Sequence, residues 1–262
     1  MIEPTATSPV TTADKEKQAN SSPSILEMLK AGVHFGHLTS KWHPKMRPFI
    51  FTARQGIHII NLEVTRQQMD KAMKFIEDIV VKGGNVLFVG TKKQIQNYVK
   101  SSAEAVAMPY VHDRWIGGML TNFAVIGKMI ARHKELGRMI EQKSFENMTK
   151  KERLEREREY NRLEGVIGGI AKLERMPEAI FLIDVRRERT AVGEANKVGV
   201  PIVAVCDTNT NPDLVQYPIA GNDDAVGSLK LMIDEAAAAV KRGTARRVSS
   251  PSVPPAATKA SV

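Results

Sequence analysis

Apolar positions in this chain change rhythm several times, and each change predicts an element. Ser24-Ile-Leu-Glu27 has the spacing of a capping box, in which the serine hydroxyl takes the amide of residue 27 and the glutamate reaches back. A short helix should follow and stop at Gly32, a residue that tolerates the left-handed conformation past a helix end. Pro44 and Pro48 deny regular helix to the next stretch. Ile57-His-Ile-Ile-Asn-Leu62 reads as a strand, and Thr65-Arg-Gln-Gln68 as a second capping box, opening a helix with Met69, Met73, Ile76 and Val80 on one face.

The pattern then becomes that of a parallel sheet. Gly83-Gly84 make a turn, Val86-Leu-Phe-Val89 is apolar throughout, Gly90 closes it, and Thr91-Lys-Lys-Gln94 reads as a capping box opening a helix to about Ala107. With a short strand at Tyr110-Val111 this is a βαβ unit, and strands without alternation are what burial on both faces requires. The rhythm resumes at Ala179-Ile-Phe-Leu-Ile183, ending in Asp184, with a helix near Ala191 to Val198. Val200-Pro-Ile-Val-Ala-Val205 follows, ending in Cys206 and Asp207, and a last helix is expected from about Ala225 to Val240 behind the cap candidates Asn222 to Asp224.

Between these halves Ile126, Met129, His133, Leu136 and Ile140 step by 3, 4, 3 and 4. After a break at Ser144 to Asn147, a capping box at Thr149-Lys-Lys-Glu152 opens a densely charged helix with Tyr160, Leu163, Ile167 and Ile170 on one stripe. Two amphipathic helices with a short link predict an antiparallel coiled-coil hairpin, inserted at about 123–176. Gly168-Gly169 weakens the helix and so marks close packing or the hairpin's root. The domain reading is a disordered arm over 1–23, an α/β domain over 24–240 and a flexible basic tail over 241–262.

Composition narrows the class. The chain has 262 residues, 42% of them apolar, enough for a real core. Its one cysteine, Cys206, forms no internal disulfide, so nothing points to an oxidising compartment. No apolar run reaches the length of about 18 residues that a membrane span needs, and the opening 23 residues contain no apolar signal core. A cytoplasmic protein with no membrane partner is expected. The 38 Lys and Arg against 29 Asp and Glu give +9, which favours anionic partners. Placement says more: Met28 to Leu62 carries Lys30, Lys41, Lys45, Arg47 and Arg54 without one acid, and Ile79 to Ala103 repeats this with Lys82, Lys92, Lys93 and Lys100. Such stretches are the electrostatic footprint of a nucleic-acid binder, or more blandly a solvated basic face.

Enzyme chemistry is one class open to such a fold, because doubly wound sheets place ligands beyond the carboxyl ends of their strands. Asp184 and Asp207 lie there, with Asp213 nearby, and could hold a divalent metal or serve as acid and base. The competing reading, that they cap loops, is the habit of Asp and Asn. Thr91 to Lys93 could hold a phosphate at a helix start, yet GxxxxGK[ST] and GxGxxG are both absent. His34, His37 and His43 cluster near Trp42, but no CxxC or HExxH supplies zinc ligands, and no GxSxG supplies a nucleophile. No catalytic residue, cofactor or small-molecule substrate is assigned.

For RNA the best segment is Ser40 to Arg54, which interleaves Lys41, Lys45, Arg47 and Arg54 with Trp42, Phe49 and Phe51, two prolines holding it extended. Cations pair phosphates and an exposed aromatic stacks on an unpaired base; Trp42 is the candidate, with Phe49 and Phe51 assigned to the core. His112 to Asn122 is similar, Gly117-Gly118 letting backbone approach a partner between Arg114, Trp115 and the following loop. Arg186, Arg187 and Arg189 follow the strand ending at Asp184.

Several runs together resemble bacterial small-subunit ribosomal proteins of the S-two family. These are Ala31-Gly-Val-His-Phe-Gly-His37, Trp42-His-Pro-Lys-Met-Arg-Pro-Phe-Ile-Phe51, His58-Ile-Ile-Asn-Leu62, Leu87-Phe-Val-Gly-Thr-Lys-Lys93, Arg114-Trp-Ile-Gly-Gly-Met-Leu-Thr-Asn122 and Gly221-Asn-Asp-Asp224. The likeness runs in order from about Ser24 to Val240. It implies a Rossmann-like (flavodoxin-like) α/β fold with a protruding coiled-coil hairpin. It also implies a non-enzymatic constituent of the 30S subunit, bound to 16S ribosomal RNA between head and body, joining late, and offering a docking surface to the mRNA-capturing protein S-one. Carried to matching positions, it makes the segments His34 to Arg54 and Arg114 to Asn122, with Lys41, Trp42, Lys45, Arg47, Arg54, Arg114 and Trp115, the expected RNA contacts; Lys92 and Lys93 join them from the phosphate reading of the helix start. Arg186-Arg-Glu-Arg189 is more basic than the family pattern. Two rival classes remain at this point: a phosphate-binding enzyme using Asp184 and Asp207, which Asp207→Asn would disable, and an RNA-free scaffold built on the hairpin.

Overall fold

The computed structural model describes residues 23–142 and 149–249; the expected arm, the expected break at Ser144 to Asn147 and the end of the expected tail lie outside the described residues. In chain order the elements are α1 (Ile25–Lys30), β1 (Phe35–Leu38), β2 (Ile50–Arg54), β3 (Ile57–Ile60), α2 (Leu62–Val81), β4 (Val86–Val89), α3 (Gln96–Ala105) and β5 (Tyr110–Val111). They continue with α4 (Phe123–Glu141), α5 (Lys150–Ile167), β6 (Ala179–Leu182), α6 (Arg189–Val198), β7 (Ile202–Cys206), β8 (Tyr217–Ala220) and α7 (Val226–Ser249).

Five strands form one parallel sheet in the order β5-β4-β6-β7-β8, with Phe88 opposite Phe181 and Phe181 opposite Val203. Because successive residues of a strand point to opposite faces, two cores result. Phe88, Phe181, Val203, Val205 and Ile219 pack under α2, α3 and α7; Leu87, Val89, Ile180, Leu182, Ile202 and Ala204 pack under α6 and the foot of the hairpin. Phe88 and Phe181 are fully buried, their ring centroids 5.4 Å apart. The expected α/β sheet is thus present, and the α2 face of Met69, Met73, Ile76 and Val80 is buried against it. Among the described residues no helix is long and apolar enough to cross a membrane.

Between the two halves α4 and α5 pair side by side. Arg132 grips Glu159 with both Nε and Nη2 at 3.0 Å, and the His133 ring stacks on Tyr160 at 4.8 Å. Ile126, Ile130, Leu136, Leu163 and Ile167 are buried, whereas Leu154 and its neighbours toward the tip are exposed. The apolar seam expected of a coiled coil is therefore closed at the root and open toward the tip. The root sits where expected: a Cβ at Gly169 would come 2.2 Å from the Tyr110 carbonyl, so only glycine lets the hairpin meet β5.

Several local readings give way to tertiary contacts. Asn61, not Thr65, caps α2, its side chain accepting the Glu63 amide at 3.0 Å. Thr65 lies inside the helix and donates its hydroxyl across to the Ala220 carbonyl at 2.7 Å. Thr91 likewise caps nothing, and α3 begins at Gln96. The segment between the prolines winds into a 3-10 turn, Pro44–Phe49, instead of staying extended. Strands β1, β2 and β8 were not expected; β1-β3-β2 form a small antiparallel sheet, and β8 carries Pro218 because it is an edge strand. Helix α7 runs past Val240 to Ser249, its basic residues Arg242 and Arg246 bonded to Glu77 of α2 at 3.3 and 2.5 Å.

Candidate nucleic-acid interface and strand-end crevice

The basic segment is built on the small sheet. Pro44 starts its turn with φ preset, and the His43 Nδ1 accepts the Lys45 amide at 3.3 Å. Lys41, Arg47 and Arg54 are exposed; Lys45 is exposed and paired with Asp213; Trp42 is half-buried with its ring 5.2 Å from that of His58. The buried residue Thr208 helps fasten the sheet to the parallel core. The His37 amide donates to its hydroxyl at 2.8 Å, and the His43 amide to its carbonyl at 2.7 Å. A Cβ at Gly36 would lie 2.6 Å from the Thr208 methyl, so this junction admits no side chain there. The cations are thereby presented on a rigid mount, which favours phosphate pairing at low entropic cost.

Lys92 is not part of that display. It leaves β4 at the carboxyl ends of the strands and donates to Asp184 at 2.9 Å, Asp223 at 3.1 Å and Asp224 at 3.0 Å. It occupies the crevice at the topological switch point, where β4 connects outward to β5 while β6 continues on its other side. Burial works against its charge, but Asp184 and Asp223 outweigh this and hold the ammonium well above its ordinary pKa. Burial, with Asp184 and Asp207 close by, pushes Asp223 up to about 7 despite Lys92. The exposed neighbour Lys93 remains free of the cluster.

The phosphate site expected at Thr91 to Lys93 is closed from inside. The Thr91 amide donates to Glu188 at 3.2 Å and its hydroxyl bonds the same carboxylate, while Arg187 Nε reaches the Thr91 hydroxyl at 2.8 Å. Burial pushes the Glu188 carboxyl up. The aspartates too are committed: Asp184 accepts the Arg187 amide at 2.9 Å, and Asp207 accepts the Thr208 amide at 2.5 Å and the Asp223 amide at 3.2 Å. Loop capping is thus their observed role. The metal candidates Asp184, Asp207 and Asp213 are not brought together, since Asp213 sits outside on the Pro212–Leu214 turn with Lys45. The group that does converge is His37, Asp207 and Asp223, ligand-capable atoms within 4.8 Å of one another. Its histidine is held above its ordinary pKa by the bond to Asp207 at 3.1 Å.

Trp115 corrects another expectation. It is buried, and its indole N–H donates to Glu194 of α6 at 3.2 Å. Glu194 also accepts the amides of Gly118 at 2.7 Å, Leu120 at 3.0 Å and Thr121 at 3.3 Å. The Arg114 to Asn122 loop is therefore wrapped round an internal carboxylate, leaving Arg114 as its exposed cation. Burial raises the Glu194 pKa, but the Leu120 and Gly118 amides outweigh it and hold the carboxyl low. Sequence reasoning missed Glu194, although one signal was present: it shares the stripe of Ala191, Ala195 and Val198, an acid on a core-facing side. Phe51 was also misread, being exposed on β2 instead of buried. Of the arginines after β6, Arg186 and Arg189 are exposed and Arg187 is bonded to Thr91.

Residues 28–243 match the family described as Ribosomal protein S2. The chain is 51% identical over 225 residues to the small ribosomal subunit protein uS2 of Corynebacterium urealyticum, covering 86% of this chain and 84% of that one. The Mycobacterium leprae protein of the same name is 51% identical over 220 residues, covering 84% and 79%. That of Nocardia farcinica is 49% identical over 224 residues, covering 86% and 79%. With the parallel sheet, the paired-helix insertion and a crevice filled by its own ion pairs already in view, the chain belongs to the ribosomal protein S2 family, structural and non-enzymatic components of the small ribosomal subunit.

Proposed function

We propose that this protein binds 16S ribosomal RNA in the cytoplasmic 30S subunit, between head and body, and that it joins late and offers a docking surface to S-one. The observation that carries RNA binding is the small sheet, where Lys41, Arg47 and Arg54 stand exposed in a stretch, 28 to 62, without an acidic residue. Phosphate pairing supplies most of the affinity, and RNA shape the specificity. Lys93 and Arg114 extend the basic surface; Trp42 is half-covered by His58, and Lys92 and Trp115 are turned inward. The exposed charges of α5 give the hairpin a second contact surface. The α/β body expected over 24–240 continues through α7 to Ser249, with the hairpin inserted at about 123–176.

Sedimentation of lysate on a sucrose gradient tests the placement: the protein should co-migrate with small subunits and whole ribosomes, and dissociate in high salt. Protein remaining at the top of the gradient in gentle salt refutes it. Replacing Lys41, Lys45, Arg47 and Arg54 with alanine should weaken association and lower the salt slope by about 2 to 3, at roughly 0.7–0.9 per phosphate contact, Lys45 adding least because Asp213 already neutralises it. An unchanged slope counts against the basic segment as the interface.

A further inference from the structure

Phe51 is 72% exposed, second among the large apolar side chains of the described residues only to Val248 at 82%. Its backbone explains how it comes to be outside. On β2, Ile50 pairs with Ile60 and Thr52 with Ile59, so two steps on one strand meet a single step on the other, and Phe51 is the extra residue of a β-bulge. A bulge of this kind re-aims a side chain. Ile50 packs against the core, so alternation turns Phe51 to the outer face, and the bulge leaves Thr52 exposed beside it. Strand β2 is also the edge of its sheet, with one side of its ladder open. The other candidate rings are engaged: Trp42 with His58 at 5.2 Å, Phe35 with His34 at 4.0 Å, and Trp115 buried.

An exposed phenylalanine on an open edge could meet protein or RNA, and charge decides between them. Arg47 lies in the turn leading into β2 and Arg54 ends the strand, both exposed, within the acid-free stretch from 28 to 62. A second copy docking edge to edge would bring the same cations face to face. A single-stranded nucleic acid offers phosphates to the arginines and a π-face to the ring.

We propose that Phe51 stacks on an unpaired base of the bound RNA, with Arg47 and Arg54 pairing phosphates of the same strand. This rests on the RNA-binding reading above and adds to it the residue that makes the contact other than electrostatic. Base stacking is indifferent to salt, so its signature separates from that of the cations.

The test uses the full chain on small subunits depleted of this protein. Phe51→Ala should bind about 5- to 150-fold more weakly, the usual loss for one stacked base, with the salt slope unchanged. Phe51→Tyr should bind within about twofold of the parent, and Phe51→Leu should stay weak because it restores apolar area without a π-face. Arg54→Ala should instead lower the salt slope by about 1. A photoreactive benzoylphenylalanine at position 51 should form its adduct with 16S RNA. Unchanged binding of Phe51→Ala, recovery by Phe51→Leu, an adduct with protein, or no adduct overturns the proposal. Failure of the parent chain to bind depleted subunits is a different result, and removes the RNA-binding reading along with this one.

Discussion

Replacing Glu194 by alanine removes the acceptor around which the Arg114 to Asn122 loop is folded. Five donors lose their partner: the Trp115 indole, the amides of Gly118, Leu120 and Thr121, and the Thr121 hydroxyl. The Gly118 and Thr121 groups are near solvent and rehydrate. Trp115 and Leu120 are buried, and each donor left unpaired there costs about 1–3 kcal/mol, so the expected loss is about 2–6 kcal/mol. For a chain of this size that lowers Tm by at least about 4 °C. Urea unfolding followed by tryptophan fluorescence reads it directly, since Trp115 is one of two tryptophans. Glu194→Gln keeps one carbonyl oxygen and should lose less. Because the folded-state pKa of Glu194 is depressed, its stabilisation is full above the unfolded value of about 4.3 and is lost as pH falls through the folded value. The gap between parent and Glu194→Gln should therefore close under acid. Alanine at 194 with stability within about 0.5 kcal/mol of the parent, or a gap that does not depend on pH, refutes the account.

Two further predictions concern the other internal junctions. Lys92→Met leaves Asp184 and Asp223 buried without their cation and should cost about 3–5 kcal/mol in urea unfolding, part of it recovered by adding Asp223→Asn. Gly36→Ala forces a Cβ to 2.6 Å from the Thr208 methyl and should cost about 1–3 kcal/mol. Hydrogen exchange should then accelerate in β1 to β3 while the parallel sheet keeps its protection; uniform acceleration would show that the junction is not local.

The four capping-box patterns show where sequence reading succeeds and stops. Ser24 with Glu27 and Thr149 with Glu152 both close as reciprocal boxes, because each partner lies three residues away in the same helix turn. Thr65 and Thr91 match the same pattern and form no box, since Ala220 and Glu188, 155 and 97 residues away, take their hydroxyls. The expected RNA-binding set divides on the same principle. Lys41, Arg47, Arg54, Lys93 and Arg114 stay exposed because no distant acid among the described residues meets them, whereas Lys92 finds Asp184 and Asp223, and Trp115 finds Glu194.

The family, too, was legible from motifs, being a property of residue order. Phe51 was not: as an apolar residue it was assigned to the core, whereas on β2 it faces outward from the core-packed Ile50 beside it. Periodicity and spacing determined by themselves four of the five parallel strands, the amphipathic helices, the hairpin and the acid-free basic stretch, because each depends on residues close in sequence. Tertiary structure alone decided which cations face solvent, which aspartates fill the crevice and which aromatic ring is presented. Those outcomes depend on hydrogen-bond and charge partners that folding brings together from far along the chain.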